Sequence, residues 1–548
     1  MNPHTPYKLA GRLLIALTAI SSLFFMAACG SSNSLVPPNN NGFTNGNLSG
    51  TYVLSISGTD ITADTFSFFA IVGTITADGN GNITGGTVDI NDPDLGGTGV
   101  FLAQTVSANT YNISPDGRGT GTLVTPVATF GLDFVLTSGG HGLITRFDGG
   151  GSGSGTLDLQ GSATQSSLAS LAFSLSGANA GVNPAGDVGT VGAFTLSTST
   201  GLVTTGIQDF NFDNSSAGLT GLPIATTSSL VLTSGTNGTA ALTTSGPFGS
   251  LAFDVWVIDS THLKLIETDT SSGLALSGDA FTQQTSFTAG QLAFTVGGAD
   301  VDGDPVAAGG FVTTDVNGDL SAGLEDYNNA GTPGTVQPFT GNCNTFAGGR
   351  CQLALTAFTN GLAVNLEFAA YPSSGGVLLL EDDSAGILQG AAFAQTATSF
   401  TVPGDFGLNL SGANPDGEVD DIAQFNATTA VAPSTNMTGL LDENNIGNPT
   451  LSDLALSGYY TPDPTADGRG SITVPNIGTN IGTLNLEYYV VDASTVVFID
   501  VDSNANNAPQ VAVGTFQVQS SSQSGVKAQS HMAMVHPLVR PHGAFRRK

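Results

Sequence analysis

Short apolar runs alternate with polar turn residues along most of this chain. One stretch opens with Tyr52, Leu54 and Ile56 at every second position and reaches a glycine at Gly58. Alternation at a period of two is typical of a half-buried β-strand. The same opening recurs at Leu171 to Gly177, Leu292 to Gly298 and Phe406 to Gly412. The pattern predicts repeated units that each begin with a strand.

A six-residue phrase, Gly-x-x-Asp-x-Asn, occurs once after each opening. Its aspartates lie 120, 117 and 116 residues apart, a period that indicates four copies of one folding unit. The paired residues are Asp89 and Asn91, Asp209 and Asn211, Asp326 and Asn328, and Asp442 and Asn444. We interpret each pair as a turn motif whose side chains bond to backbone groups of their own hairpin. The alternative is one ligand site in each unit.

The turn residues between the apolar runs predict the fold class. Asp-Gly and Asn-Gly steps supply the backbone angles of tight hairpins, and they divide each unit into about eight strands. A chain with 74 glycines and no sustained helical period after residue 29 forms helices poorly. We predict an all-β protein of four tandem antiparallel units, each a meander β-barrel, with a β-sandwich as the alternative. The strand rhythm resembles that of avidin and lipocalin barrels, and this resemblance carries no ligand residues over.

The landmarks also divide the chain into segments. The predicted segments are a signal peptide (1–28), a polar tether (29–46), four β units (47–162, 163–286, 287–398 and 399–520) and a basic tail (521–548). Each unit is long enough to bury its own core.

The N-terminal segment is typical of an export signal. Lys8 and Arg12 precede an apolar run, which is followed by Ala27, Ala28 and Cys29. This run is too short for a membrane span. Its end resembles the lipobox of bacterial lipoproteins, which implies that Cys29 is lipidated and anchors the chain to a membrane. An ordinary signal peptide is the alternative.

Charge is divided unevenly along the chain. All 43 acidic residues lie between residues 30 and 520, where the basic residues are Arg118, Arg146, Lys264, Arg350 and Arg469. An excess of 38 acidic residues makes nucleic acid an unfavourable partner. The basic tail contains no acidic residue, and we interpret it as a disordered end or as an electrostatic contact with an acidic surface.

Three cysteines are present, and the export signal accounts for their use. With Cys29 assigned to lipid, Cys343 and Cys351 remain close together in the third unit. A local disulfide is the economical interpretation in an exported protein.

Candidate catalytic groups are few. His141 and His262 occupy one equivalent position in two units, which favours a structural role. Glu267 with Asp269, and Glu381 with Asp383, are spaced to share a strand face, so a carboxylate-based glycosidase is the enzymatic alternative. The recurrence of such acids at the same place in several units favours the solvated end of a strand instead, and we predict that the chain is not an enzyme.

Calcium is the one cofactor that the sequence suggests. Two loops imitate a calcium-binding loop, and their candidate ligands are Asp78, Asn80, Asn82 and Asp89 in unit 1, and Asp315, Asn317, Asp319 and Asp326 in unit 3. Both lack the glycine at position six of such a loop. Hairpin turns use the same residues for backbone reasons, and we favour that interpretation.

Taken together, the signal, the repeats and the absence of helices make the chain resemble tandem-repeat, all-β lipoproteins of bacteria. That group has no assigned activity, so the resemblance implies none. We predict a structural or adhesive lipoprotein of the cell envelope, exposed at the outer membrane or cell surface. A lipoprotein that binds a ligand or glycan in each unit is the alternative.

The lipid anchor is directly testable. Replacement of Cys29 by serine removes the thiol that would carry the lipid, so the Cys29→Ser protein is expected in the soluble fraction after export. Cell fractionation followed by immunoblotting measures this. If the variant stays in the membrane fraction after washing, the anchor lies elsewhere in the chain.

Overall fold

The computed structural model describes residues 41–62, 65–179, 186–212, 218–246, 248–359, 362–415, 417–465, 467–477, 482–503 and 510–521. These ranges form 34 β-strands and three short 3-10 helices at Asn45–Asn47, Pro93–Leu95 and Gln165–Ser167. The strands are antiparallel and follow one another in four tandem sets, so the prediction of an all-β protein with four antiparallel units is confirmed. The signal peptide, Cys29 and all of the basic tail after Ser521 lie outside the described residues.

Unit 1 is a sheet of nine strands. They are β1 (Ser49–Thr62), β2 (Thr65–Asp78), β3 (Asn82–Asn91), β4 (Val100–Thr105), β5 (Asn109–Ile113), β6 (Arg118–Val124), β7 (Thr129–Ser138), β8 (His141–Asp148) and β9 (Gly151–Leu159). β1 pairs with both β2 and β9, and β3 pairs with β2, β4 and β5. The pairings therefore make a complete circuit.

Unit 2 is also a sheet of nine strands, with β13 and β14 at its two edges. They are β10 (Ser170–Asn179), β11 (Gly186–Leu196), β12 (Val203–Phe212), β13 (Leu219–Pro223), β14 (Ser229–Leu232), β15 (Asn237–Thr243), β16 (Ser250–Asp259), β17 (His262–Glu267) and β18 (Leu274–Thr282).

Unit 3 is a closed barrel of eight strands. They are β19 (Gly290–Asp300), β20 (Pro305–Thr314), β21 (Leu320–Asn329), β22 (Thr332–Ala347), β23 (Arg350–Thr359), β24 (Leu362–Ser373), β25 (Gly376–Glu381) and β26 (Gly386–Ala394). Each strand pairs with its neighbours in sequence, and β26 returns to pair with β19.

Unit 4 is a second closed barrel with the same connectivity. Its strands are β27 (Gly404–Asn414), β28 (Gly417–Ala427), β29 (Met437–Asn445), β30 (Leu451–Pro462), β31 (Arg469–Ile477), β32 (Gly482–Val490), β33 (Thr495–Asp500) and β34 (Val511–Val518). Units 3 and 4 are thus the meander barrels that the strand rhythm predicts.

Alternation along each strand separates two kinds of core. On β1, Tyr52, Leu54 and Ile56 are buried in the core of unit 1. The intervening Val53 is also buried, but it packs with Trp256 of unit 2. Side chains on the outer faces therefore lie in contacts between units, and both faces of these strands are covered.

The contacts between units have a cyclic order. Unit 1 packs on unit 2 through the Val53 and Trp256 cluster, and residues of units 2, 3 and 4 share one apolar cluster that includes Val191, Tyr371 and Val513. Ile422 of unit 4 packs on Val135 and Leu143 of unit 1. The last unit therefore contacts the first. Within the described ranges, no helix is long and apolar enough to cross a membrane.

Candidate functional site

The repeated phrase lies on the third strand of every unit, namely β3, β12, β21 and β29. All eight Asp and Asn side chains are buried, with at most 6% of any residue exposed. Pairing with the next strand is interrupted beside the aspartate in each unit by a β-bulge. A bulge leaves a backbone amide without its partner in the ladder.

The phrase aspartate accepts that amide. The four bonds run from the backbone N of Ala103 to Asp89 (2.7 Å), of Gly221 to Asp209 (2.7 Å), of Val336 to Asp326 (2.8 Å) and of Asp453 to Asp442 (2.6 Å). All four donor residues have positive φ angles, from 49° to 64°. Three of them are not glycine, so the carboxylate holds the backbone in a conformation that such residues rarely adopt.

The same carboxylates bind donors from the next unit. Arg469 Nε and Tyr489 Oη of unit 4 lie 2.8 and 2.7 Å from Asp326 of unit 3. The other contacts are Arg350 and Tyr371 of unit 3 with Asp209 of unit 2, Arg118 of unit 1 with Asp442 of unit 4, and Trp256 of unit 2 with Asp89 of unit 1. Arg118, Arg350 and Arg469 each begin the strand that follows a hairpin. An indole replaces the guanidinium only between units 1 and 2.

The phrase asparagines bond across the same boundaries. Each side-chain amide donates to backbone carbonyls at the ends of two strands in the next unit. Asn91 donates to Glu267 (3.1 Å), Asn211 to Glu381 and Gly386 (2.7 and 2.9 Å), Asn328 to Asp500 and Gln510 (3.1 Å each) and Asn444 to Arg146 and Gly151 (2.7 and 2.8 Å). We call the Asp and Asn of one unit, with their partners in the next unit, a latch.

The latches correct the interpretation of the phrase as a turn motif. The aspartate bonds to a backbone amide of its own unit, but that amide lies at a bulge rather than in a hairpin turn. Asn444 donates from unit 4 to unit 1, so the set of latches closes in a cycle. The recurrence of the phrase in four units indicated a structural role, but nothing in the phrase showed that its partners lie in the neighbouring unit.

A glutamine at the end of each unit forms a second cyclic set of bonds. The side-chain amides donate from Gln160 to Thr236 (3.2 Å), Gln283 to Gly348 (3.3 Å), Gln395 to Val490 (2.8 Å) and Gln519 to Asp116 (2.9 Å), each a carbonyl in the next unit. Each glutamine directly follows the last strand of its unit, which is β9, β18, β26 or β34.

The acids at the strand ends are buried beneath the latches. Glu267, Glu381 and Asp500 are at most 1% exposed, so they are not the solvated strand ends that the sequence suggested. Burial raises the pKa of Glu267 to about 8 and raises the pKa values of Glu381 and Asp500 well above their usual range. Asn91 Nδ2 bonds to Glu267 Oε2 at 2.9 Å.

The structure separates the calcium candidates. Asp78 accepts the backbone amides of Asn80 and Asn82 at 2.7 and 3.0 Å, which is a turn interaction. Asp315 accepts those of Asn317 and Asp319 at 2.8 and 3.0 Å. Asp89 and Asp326 belong to latches instead. Asp89 lies seven residues after Asn82, and Asp326 seven residues after Asp319, which is about 20 Å along a strand. Within the described ranges, no group of three or more His, Cys, Asp or Glu side chains is placed to hold a metal ion.

Both histidines begin equivalent strands and are buried. His141 lies 2.6 Å from Asp158, and His262 lies 2.6 Å from Asp279, which also pairs with Lys264 at 2.7 Å. Burial opposes ionisation of Asp158, but His141, Lys264 and His262 together lower its pKa. The two pairs therefore influence each other across the boundary between units 1 and 2.

A disulfide joins Cys343 on β22 to Cys351 on β23, with their Cα atoms 5.6 Å apart. Both cysteines pack with the apolar core of unit 3. The bridge spans the hairpin between these strands, which carries Arg350 and hence one latch.

The interior of unit 3 contains a cavity of about 80 Å³. Seventeen residues line it, and all but Glu325 are apolar. The lining consists of Phe287, Leu292, Phe294, Val296, Ala308, Val312, Leu320, Glu325, Phe339, Leu353, Leu355, Leu366, Phe368, Val377, Leu379, Leu388 and Ala392. The cavity is an apolar site with a single ionisable group.

Side-chain volume accounts for the space in this barrel, because unit 4 carries larger side chains at equivalent positions. Strand register places Leu292, Val312 and Ala392 at the positions of Phe406, Phe425 and Phe516 in unit 4. Those three phenylalanine rings pack with centroids 5.1 to 5.4 Å apart. Smaller side chains on the same backbone leave the space open.

Glu325 is the residue before the phrase aspartate on β21. The neighbouring Asp326 faces out of the barrel into a latch, and alternation turns Glu325 inward. Burial, with a smaller contribution from Asp326, raises the pKa of Glu325 to about 7. Its equivalents in the other units are Val88, Gln208 and Leu441. A carboxyl group therefore faces the barrel interior at this position in unit 3 only.

No protein-family model matches this sequence, and the search of curated proteins gives no match. Among solved structures, a transferrin binding protein B double mutant from Haemophilus parasuis Hp5 has 9% sequence identity and a TM-score of 0.17, with 71% of this chain and 82% of that chain covered. Intact Ap-TbpB, with N and C lobes, has 8% identity and a TM-score of 0.18, with 88% and 98% covered. At these TM-scores the likeness carries no argument about this chain.

A latch is testable through Asp326. Asp326→Ala removes the acceptor of two buried donors and a bulge amide, so we expect a loss of about 3–5 kcal/mol in the free energy of unfolding. Urea unfolding of the whole chain measures it. Asp315→Ala, an exposed turn residue of the same unit, is the matched control and should shift the midpoint much less.

A double-mutant cycle that combines Asp326→Ala with Arg469→Ala then shows whether Asp326 acts in a latch or in a turn. Strong coupling between the two substitutions is expected, because each leaves the same buried pair broken. Additive effects, or a loss at Asp326 no larger than at Asp315, would contradict the latch.

The buried acids predict how stability depends on pH. Burial raises the pKa values of Glu325, Asp382 and Glu443 to about 7, and those of Asp133, Glu267 and Glu487 to about 8. Between about pH 5 and pH 8 the folded chain holds protons that the unfolded chain has released, so stability falls as pH rises. The pKa values of Asp158 and Asp279 are lowered instead, and their contribution is already complete in this range.

We therefore expect a lower melting temperature at about pH 8 than at about pH 5. Calorimetry in matched ionic strength measures it. Glu325→Gln, which removes one of these groups, should flatten the dependence. A melting temperature that is constant or rises over this range is the contrary result.

Proposed function

We propose that the chain is an exported lipoprotein that binds, inside unit 3, a small aliphatic ligand with one polar group. Lipid on Cys29 holds it to the envelope, at the outer membrane or cell surface, and the barrel of unit 3 presents the binding site. The single observation that carries this proposal is the cavity of about 80 Å³ with its apolar lining and one inward carboxyl group.

The cavity defines the chemical class of the ligand. Its volume is about half that of an engineered apolar cavity that takes up benzene or xenon, about 150 Å³. A short aliphatic chain fits this space better than a ring. Since the pKa of Glu325 is raised to about 7, its protonated form can donate a hydrogen bond to a hydroxyl or carbonyl oxygen. We infer a short alcohol or carbonyl compound rather than a glycan.

A structural or adhesive role is the second candidate, and the latches favour it. Four units are joined in a cycle by buried ion pairs and by hydrogen bonds from side-chain amides. Together they form a rigid platform for an envelope surface. The two functions are compatible, because the latches use outward residues and the cavity uses inward ones. In neither role does the chain act as an enzyme. Of the acids considered for glycoside hydrolysis, Glu267 and Glu381 lie buried beneath the latches, whereas Asp269 and Asp383 are partly exposed.

Filling the cavity tests ligand binding. Xenon and the n-alcohols from propanol to hexanol are titrated into the whole chain and followed by NMR. Saturable binding is expected in the natural sequence and should be lost in Ala392→Phe, which copies Phe516 of unit 4. Ala392→Leu is the milder variant if the ring overpacks the barrel. The unfolding midpoint should be unchanged or higher, since a filled cavity gains contacts.

Two controls sharpen the result. Phe516→Ala opens the equivalent position in unit 4 and should create a new xenon site. Glu325→Gln keeps the shape of the cavity, so xenon binding should remain while alcohol binding loses its pH dependence near pH 7. Absence of saturable binding in the natural chain, or binding that survives both Ala392 variants, rejects the cavity as the ligand site.

A further inference from the structure

Unit 4 buries two carboxyl groups side by side inside its barrel. Asp421 on β28 lies directly opposite Glu443 on β29, so their Cβ atoms are about 5 Å apart. Ala423 and Leu441, each two residues away on the same strands, belong to the core of unit 4. Residues two apart share a face of a strand, so both acids face the barrel interior. Asp421 is 0% exposed and Glu443 is 2% exposed.

The oxygen atoms of this pair are buried without hydrogen bonds. Asp421 Oδ1 and Oδ2 and Glu443 Oε2 have no partner among the described residues. Asn445, two residues after Glu443 on the same face, has a buried Oδ1 that also lacks a partner there. The side-chain amide of Gln510 lies near Asp421, but its Nε2 meets no acceptor in hydrogen-bond geometry. Buried polar atoms are normally bonded, so these four oxygens require a further partner.

The equivalent positions of unit 1 show that the fold does not need these acids. Strand register places Ile71 and Ile90 of unit 1 where Asp421 and Glu443 stand in unit 4. Both isoleucines are buried in the core of unit 1. An apolar pair therefore fills this place and avoids the cost of burying carboxylates without donors. The acids of unit 4 indicate a ligand rather than a requirement of folding.

Positive charge is missing from this end of unit 4. In unit 1, Arg146 lies at the equivalent barrel end and pairs with Asp60 at 2.7 Å. Asp500 takes the place of Arg146 in unit 4, since a latch asparagine bonds to the backbone carbonyl of each. Asp500 Oδ2 is also buried without a partner among the described residues. All five basic side chains of residues 41–521 pair with other acids, so the charge of this group is not balanced by a protein cation.

We propose that Asp421, Glu443 and Asn445 bind a calcium ion inside unit 4. Two carboxylates and an amide oxygen are ligands that calcium prefers, and water or backbone carbonyls would complete its about six to eight ligands. The donor set is two acids and an amide, and Asp500 adds negative charge nearby. Asn445 is the last residue of β29, which places the site at one end of the barrel. This site is separate from the cavity of unit 3 and from the exposed turns that imitate calcium loops.

Calcium titration of the whole chain tests the site. The protein is freed of metal with EDTA, moved to chelator-free buffer at about pH 8, and titrated with calcium chloride by isothermal calorimetry. We expect one saturable site and a melting temperature at least about 2 °C higher in about 1 mM calcium. Asp421→Asn combined with Glu443→Gln should abolish both effects. This variant should melt higher than the parent in EDTA, because two buried carboxylates without partners are gone.

Asp315→Asn is the matched control, since it neutralises an exposed turn acid and should leave calcium binding unchanged. If the Asn and Gln variant fails to fold, Asp421→Ile with Glu443→Ile, which copies unit 1, takes its place. No saturable binding by the parent, or binding that the double variants retain, rejects the proposal. A higher melting temperature of the double variant, with no effect of calcium on the parent, would show that the two carboxyl groups share a proton instead, and that result also rejects it.

Discussion

The arrangement of the four units depends on one buried carboxylate that serves two sets of donors. In each unit the phrase aspartate accepts the amide of a bulge in its own sheet and a guanidinium, phenol or indole group from the next unit. A buried carboxylate is costly unless such donors surround it. The local fold and the contact between units therefore stabilise each other, because neither set of donors alone satisfies the carboxylate. The asparagine two residues later fixes the register of the contact by bonding to strand-end carbonyls.

Scarcity of positive charge gives these contacts their specificity. With five cations against 43 acids, all four units are acidic, so the charged side chains of different units mostly repel one another. The exceptions are the latches, where Arg118, Arg350 and Arg469 each meet an Asp of the preceding unit. Between units 1 and 2 Trp256 takes this place, and the Lys264–Asp279 pair lies nearby. Incorrect pairings between units would bury carboxylates without donors, so the same charge excess that solubilises the chain also disfavours wrong arrangements.

Much of the fold could be predicted from the sequence because its signals are local. Period-two alternation gave strands such as that of Tyr52, Leu54 and Ile56, and the spacing of the phrase gave four units. The site was less accessible. The spacing of Asp326 and Asn328 places both on one face of a strand, but it does not show that the face meets Arg469 and Asp500 more than 140 residues away. The cavity depends on summed volumes at Leu292, Val312 and Ala392, which belong to three different strands. The one local signal for the cavity was Glu325, a charged residue at a position where two other units have an aliphatic residue.

Alternation along a strand lets the two faces of a unit change independently. On β21, Asp326 and Asn328 face the neighbouring unit and keep the identities found in every copy. Glu325 and Tyr327 face inward, and their counterparts range from Val88 and Ile90 to Leu441 and Glu443. A substitution inside one barrel does not touch a latch, so each interior can be filled, charged or hollow while the cyclic arrangement persists. The four units thus supply several interiors on a common frame, and in unit 3 the smaller side chains at Leu292, Val312 and Ala392 line a cavity.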